Sequence, residues 1–220
     1  MNLDGVNMIT CGNGNCYVIR GKSGDMLIDT GTEDYRDEIE TWLRYYNVKL
    51  IFLTHGHNDH IGNAAYFSKL LGADIVMSPL DIALSRHNLM HKAYPIGVRG
   101  KLLHAASQKL MGCKAESFAV NIFPEDGAAI GDEYGISCKA VKLDGHTKGS
   151  FGIMQGRDLY AGDALMNFIT PTSSLMCESP KAAKETLYKI AALSPERIFF
   201  GHGKPIEAGS RAYRKLFDFQ

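Results

Sequence analysis

The sequence predicts an α/β chain of two β-sheets with helices packed on their outer sides. Three observations carry this. Strand patterns open the chain, strand and helix patterns alternate through residues 30–77, and strand patterns return after residue 136 with more helices among them. Nothing rich in Gly, Ser or Pro divides the 220 residues, no segment is of low complexity and no repeat is visible. Residues 1–220 therefore read as one domain, with a helical insert at about 80–112.

Taken in order, Asn15 to Arg20 and Met26 to Asp29 read as two short strands. The turn Gly21-Lys22-Ser23-Gly24-Asp25 joins them, since Gly and Asp tolerate the backbone angles that turns need. Thr30 and Glu33 stand at capping-box spacing and predict a helix start. Tyr35, Ile39, Trp42, Leu43 and Tyr46 then follow at helical spacing. The unbroken apolar run Leu50-Ile51-Phe52-Leu53 predicts a strand covered on both faces. A helix over Asn63 to Leu71 stops at Gly72, and Ala73 to Met77 is another buried strand. Leu80 to Met111 reads as two helical pieces broken at Pro95 and Gly97. Strands return at Ile136 to Leu143, Phe151 to Met154 and Leu159 to Ala161. Ser179 and Pro180 open a helix over Lys181 to Leu193, Ile198 to Phe200 is a last strand, and Arg211 to Phe217 a last helix.

Composition narrows the function classes. The chain is 45% hydrophobic and 22% charged, with 24 Lys plus Arg against 24 Asp plus Glu. That is too apolar and too balanced for a disordered chain. Zero net charge gives no electrostatic reason to expect a nucleic-acid or anionic-membrane partner. No stretch approaches the roughly 18 apolar residues of a membrane span, and no signal segment is read at the N-terminus. Cys11, Cys16, Cys113, Cys138 and Cys177 are scattered and form no CxxC pair. A cytoplasmic protein without a disulfide framework is the expectation.

The eight His are the compositional oddity. His55-Gly56-His57-Asn58-Asp59-His60 follows the buried strand directly and packs four metal ligands into six residues. Loops beyond strand ends are where a rigid scaffold places function. In an extended turn His55 and His57 face one side, while Asp59 and His60 address a neighbouring point as a helix begins. Bunched imidazoles that all protonated would repel each other, and nothing about helix capping needs them. Imidazole with carboxylate suits Zn, Fe or Mn. His146, Asp163 and His202 have the same context, each at a strand end and next to Gly. Together they supply seven ligands, enough for two metals sharing one carboxylate.

With those residues in view, the chain resembles the metallo-β-lactamase-fold superfamily. HxHxDH stands at His55 to His60, the later His, Asp and His are His146, Asp163 and His202, and Asp29-Thr30-Gly31 is similar to the family's Asp-Thr-Gly turn. The resemblance spans about Asn15 to Pro205 in the expected order. It implies a four-layer αβ/βα sandwich and two divalent metal ions, Zn2+ first with Fe or Mn as alternatives. One metal would sit among His55, His57 and His146, the other among Asp59, His60 and His202, with Asp163 bridging.

The resemblance also implies a branch. Position 57 is His, where the flavodiiron oxidoreductases carry Glu. Position 163 is Asp, as in the glyoxalase II-like and lactonase-like hydrolases, where many β-lactamases have Cys or Ser. Neither the inserted domain of the RNA-cleaving members nor the C-terminal substrate domain of glyoxalase II is expected. The expectation is a metal-dependent hydrolase that cleaves a small ester, thioester or lactone by a metal-bridging hydroxide. Asp59 is the catalytic residue that orients the hydroxide and carries a proton to the leaving group, and Asp29 orients a ligand His. The alternatives are a mononuclear iron persulfide dioxygenase and a phosphodiesterase of the same fold.

The expected partner is a small-molecule substrate. Lys148 offers a cation for a substrate carboxylate, the loop Leu165 to Pro180 with Asn167, Phe168, Thr170 and Ser173 a mouth, and Tyr94 an oxyanion donor. His87, His91 and His104 lie in the insert. Its Leu80, Ile82, Leu84, Leu89, Met90 and Met111 suit either an acyl pocket or a homodimer interface.

Overall fold

A computed structural model describes residues 6–12, 14–87, 93–107 and 115–218. The chain runs β1 (Asn7–Cys11), β2 (Gly14–Ile19), β3 (Asp25–Ile28), α1 (Arg36–Leu43), β4 (Val48–Phe52), α2 (Asn58–Ile61), α3 (Ala64–Leu71) and β5 (Asp74–Val76). Next come α4 (Ile82–His87), β6 (Tyr94–Pro95), α5 (Gly97–Ser107), β7 (Lys139–Lys142), β8 (Phe151–Gln155) and β9 (Asp158–Tyr160). Then follow β10 (Leu165–Met166), β11 (Thr172–Ser173), β12 (Met176–Cys177), α6 (Pro180–Leu193), β13 (Arg197–Phe199), β14 (Ile206–Glu207) and α7 (Arg211–Leu216).

Two five-stranded sheets carry the fold, ordered β1-β2-β3-β4-β5 and β14-β13-β9-β8-β7. Strands β3, β4 and β5 are parallel, as are β9 and β13, and the remaining neighbours are antiparallel. The period of two along β4 explains the layers. Leu50 and Phe52 join Tyr17, Met26, Ile28, Ala140, Ile153, Tyr160 and Phe199 in a core between the sheets. Ile51 and Leu53 point the other way, with Val18, Leu27 and Ile75, onto Ile39, Leu43 and Phe67 of α1 and α3. The outer face of the second sheet packs Val141, Leu159 and Ile198 against Ile190 of α6 and Leu216 of α7. Each such fully buried aliphatic or aromatic side chain contributes roughly 1.5–3 kcal/mol. Tyr160 stacks on Phe199 at 4.6 Å, and Tyr17 meets both edge-on from the opposite sheet. The result is a four-layer αβ/βα sandwich.

Several expectations are corrected. Thr30 does not cap a helix: its hydroxyl donates to the His60 carbonyl at 2.9 Å and accepts from Asn63 N–H. A 3-10 turn over Glu33–Tyr35 intervenes, and the α-helix starts at Arg36. The strand expected from Ile136 is confined to Lys139–Lys142, because Ile136 belongs to a turn closed by its N–H on the Gly131 carbonyl. β1, an edge strand, was not anticipated, since its half-exposed residues show no alternation. By contrast α3 ends as expected at Gly72, in the left-handed region (φ 61°), and Ser179 Oγ accepts from Ala182 N–H to cap α6. Leu89, Met90, His91, Met111 and Cys113 lie outside the described residues. No helix among the described residues is long and apolar enough to cross a membrane.

Candidate metal centre

Every candidate ligand follows the C-terminal end of a strand: His55, His57, Asp59 and His60 after β4, His146 after β7, Asp163 after β9 and His202 after β13. Hydrogen bonds between the two sheets bring these ends together. Asn15 N–H donates to the Gly201 carbonyl at 2.8 Å, and its side-chain amide spans the Phe200 and Gly203 carbonyls. Phe151 N–H donates to the Thr54 carbonyl at 2.9 Å, joining the loop after β4 to β8. Gly201 lies so close that a Cβ there would collide with Asp163 Oδ1 and sit 2.8 Å from His60 Cε1. Only glycine lets this strand end approach the cluster.

All seven side chains converge. Three groups could hold a metal ion, their ligand atoms mutually within 4.8 Å: His55, His57 and His146; His55, His60 and Asp163; and Asp59, His60 and His202. His57 is extended (φ −78°, ψ 146°) at the start of α2, which returns its side chain to the side of His55. Its Nδ1 lies 2.9 Å from both His55 Nε2 and His146 Nε2. His202 Nε2 stands 3.3 Å from Asp59 Oδ2 and 3.2 Å from Asp163 Oδ2. Asp163 also faces His60 at 3.4 Å and His146 at 3.6 Å, which puts its carboxylate between the two outer groups. Asp163 is buried, whereas the Asp59 side chain is 45% exposed.

The imidazoles are aimed by their second nitrogens. Asp29 Oδ2 accepts from His60 Nδ1 at 2.7 Å and from Thr54 Oγ1 at 2.8 Å. Thr54 spends its hydroxyl proton on Asp29, so it accepts from His55 Nδ1 at 3.1 Å. His146 Nδ1 donates to the Met176 carbonyl at 2.7 Å, with Ser174 Oγ at 2.8 Å. His55, His60 and His146 thereby each turn Nε2 toward the cluster. Asp29 itself adopts a left-handed backbone (φ 57°), uncommon for a residue with a side chain. Its Oδ1 accepts from Thr54 N–H at 2.8 Å, which holds it there.

A second buried carboxylate ties the loops to each other. Asp81, in the turn ahead of α4, accepts from Gly56 N–H, Gly149 N–H and Thr147 Oγ1 at 3.0, 2.9 and 2.7 Å. It thus clamps the backbone between His55 and His57 to the loop of His146. Burial raises the Asp81 pKa, and these donors work against that rise.

The electrostatics divide the site in two. Burial, and after it the neighbouring imidazoles, hold His55 well below the ordinary histidine range. Burial followed by His146 pushes His57 down to about 3. Burial also lowers His146, with Asp163 opposing. These three stay neutral lone-pair donors. Burial would lower His60 too, but Asp163, Asp29 and Asp59 reverse it and hold it at about 9. His202 is raised in the same way by Asp163 and Asp59. Burial works to raise both Asp59 and Asp163, yet His60 and His202 keep both carboxyls well below the usual range.

This chemistry fits cations. His60 Nε2 and Asp163 Oδ1 are buried with no hydrogen-bond partner, an expensive pairing unless positive charge joins them. Three neutral imidazole nitrogens crowd one point and two carboxylates share another. Nitrogen and oxygen ligands in this mixture suit Zn, Fe or Mn.

The weaker sequence candidates scatter. Lys148 is exposed, and its N–H donates to Glu178 Oε2. Tyr94 pairs with Cys177 between β6 and β12 and is exposed. His104 lies on α5, and the His87 side chain falls outside the described set. Asn167 donates from Nδ2 to the Lys204 carbonyl, and Phe168 stacks on the His202 ring at 5.2 Å. Thr54, Asp81 and Ser174 were missed because single polar residues carry no spacing signal, although Thr54 adjoins the HxHxDH run and Ser174 lies in the loop read as a mouth.

Comparison with known proteins agrees. A family model described as the metallo-beta-lactamase superfamily matches residues 9–202. A metallo-beta-lactamase family protein from Thermus thermophilus, TTHA1429, superposes with a TM-score of 0.71 at 21% identity, covering 96% of this chain and 76% of that one. The protein TTHA1623, solved in a di-iron-bound form, gives 0.66 at 23% identity, covering 94% and 97%. The MIM-2 metallo-beta-lactamase gives 0.64 at 22%, covering 86% and 70%. The shared architecture, and a family match that begins in β1 and ends on His202, place this chain in the metallo-beta-lactamase superfamily.

Proposed function

We propose that the protein is a dinuclear metal-dependent hydrolase of a small ester, thioester or lactone. The observation that carries this is the position of Asp163, whose carboxylate stands between His60, His146 and His202 and so touches both ligand groups. His55, His57 and His146 would hold one divalent ion and Asp59, His60 and His202 the other, with Asp163 common to both. Such a pair supplies Lewis acidity that lowers the pKa of water toward neutrality and polarises a carbonyl.

The protein's own groups do the rest. Burial keeps His55, His57 and His146 unprotonated, hence ready to ligate without first losing a proton. Asp29, Thr54, Ser174 and the Met176 carbonyl fix which imidazole nitrogen faces inward. Asp59 is the solvent-facing carboxylate of the cluster. It would orient the attacking water, take up the proton that the water loses and deliver it to the leaving group. The di-iron form of TTHA1623 makes iron a metal to test beside zinc and manganese.

The experiment is metal analysis of purified protein with assay on thioesters, esters and lactones, each with Zn2+, Fe2+ or Mn2+. Two metals per chain with hydrolysis on the panel is expected. Fewer than one metal per chain and no hydrolysis contradicts the reading.

A further inference from the structure

The short hairpin β10–β11 grows directly out of the Asp163 turn. Its base serves the metal centre, since Ser174 follows β11 and contacts His146. Its tip, residues 167–171, does something else. Phe168 lies over the His202 ring with an interplanar angle of 24°, and Ile169 stands 80% exposed. Across from the tip, α5 presents Leu102 and Arg99. Arg99 Nη1 donates to Thr170 Oγ1 at 3.0 Å, which ties helix to hairpin. Between them lies a cleft of about 220 Å³ lined by Arg99, Leu102, Phe168, Ile169, Thr170, Thr172 and Leu175.

Two properties of this cleft point to a ligand. It is apolar except for one guanidinium and the hydroxyls of Thr170 and Thr172, and Arg99, which donates to Thr170, makes no ion pair with any carboxylate among the described residues. It also adjoins the candidate metal centre through Phe168, which is a wall of the cleft and stacks on the His202 ring. We propose that this cleft binds the substrate's non-reacting end, a short apolar carbon chain that carries a carboxylate. The chain packs on Phe168, Ile169 and Leu102, and the carboxylate pairs with Arg99, whose planar fork matches it. The volume is below the roughly 300–1,000 Å³ of pockets for drug-sized ligands, so the chain is short. This assignment rests on the hydrolase reading and names its substrate class: an anionic ester, thioester or lactone.

The test compares two esters on the metal-loaded protein, the 4-nitrophenyl monoester of glutaric acid and the same molecule with its carboxylate methyl-capped. A charge-assisted contact predicts a kcat/KM about tenfold or more higher for the free carboxylate. Arg99→Met should bring that ratio toward one, Arg99→Lys should restore part of it, and Lys181→Met, on the exposed face of α6 and outside the cleft, should leave it alone. Equal rates on both esters in the wild type, or a ratio unmoved by Arg99→Met, overturn the proposal. If neither ester is hydrolysed, the hydrolase reading fails only where the thioesters and lactones are left intact too, and the cleft is then judged by binding. Glutarate itself should bind the metal-loaded protein in calorimetry and lose tenfold or more of its affinity in Arg99→Met. Absence of glutarate binding overturns the cleft. So does sedimentation showing a dimer that Ile169→Asp dissociates, which would mean that a second copy covers this face.

Discussion

His60 gives its Nδ1 proton to Asp29 Oδ2 across 2.7 Å, although 31 residues separate the two in sequence. The same carboxylate accepts from Thr54, and Thr54 accepts from His55 Nδ1. One aspartate at the end of β3 therefore sets the orientation of two candidate ligands that follow β4. Asp29→Asn tolerates the left-handed backbone but offers one acceptor oxygen where two are used. It should weaken metal affinity about 10–100-fold, measured by competition with a chromogenic chelator. Unchanged affinity would mean that the imidazoles are held by packing alone.

The raised pKa of His60 has a consequence for the metal-free protein. Its folded value of about 9 lies above the ordinary 6.5. The proton it holds therefore contributes stability fully below about pH 6.5, and that contribution is lost as pH rises through about 9. His202 is shifted the same way. Urea unfolding of metal-free protein should show stability falling over this window by on the order of 3 kcal/mol from His60 alone. Bound metal replaces the proton, so the metal-loaded protein should lose much less. A flat profile without metal would contradict this electrostatic account.

Asp81 is the acceptor for three buried donors on two loops. Asp81→Ala leaves them without a partner and should destabilise the metal-free protein by roughly 2–4 kcal/mol. Asp81→Asn keeps one acceptor oxygen and should cost less. Chemical denaturation of both variants checks this order.

Gly201→Ala drives a methyl group into Asp163 Oδ1 and to 2.8 Å from His60 Cε1, and the rigid strand end cannot yield. Metal content should fall below two per chain while far-ultraviolet circular dichroism stays that of the parent. Retention of both metals would show that the His202 loop is softer than its hydrogen bonds suggest.

Asp59→Asn keeps the side chain's size and removes its capacity to take a proton. A loss of about 10²–10⁴ in kcat is expected, with metal content measured in parallel because Asp59 is also a candidate ligand. If kcat holds while both metals are retained, the proton is carried elsewhere.

The layers were legible in the sequence because β4 alternates between two apolar faces and α3 ends on a glycine. The convergence of the candidate ligands was legible because four stand within six residues and the other three adjoin glycines at strand ends. What was illegible depends on long-range partners. Thr30 looked like a helix cap, yet its hydroxyl is taken by the His60 carbonyl, a competition that spacing does not reveal. Asp81 reads as one more acidic residue of the insert until the fold brings it under Gly56 and Gly149. The edge strand β1 has no clear pattern because it is only five residues long and mostly half-exposed, although Met8 leans on the core between the sheets and Ile9 on the outer one.

The central claim is that seven side chains hold two metals with Asp163 in common. Anomalous diffraction from crystals of the metal-loaded protein tests it most directly. Two peaks about 3.5–4 Å apart are predicted, one among His55, His57 and His146, the other among Asp59, His60 and His202, with Asp163 touching both. A single peak, or metals bound away from Asp163, would contradict it.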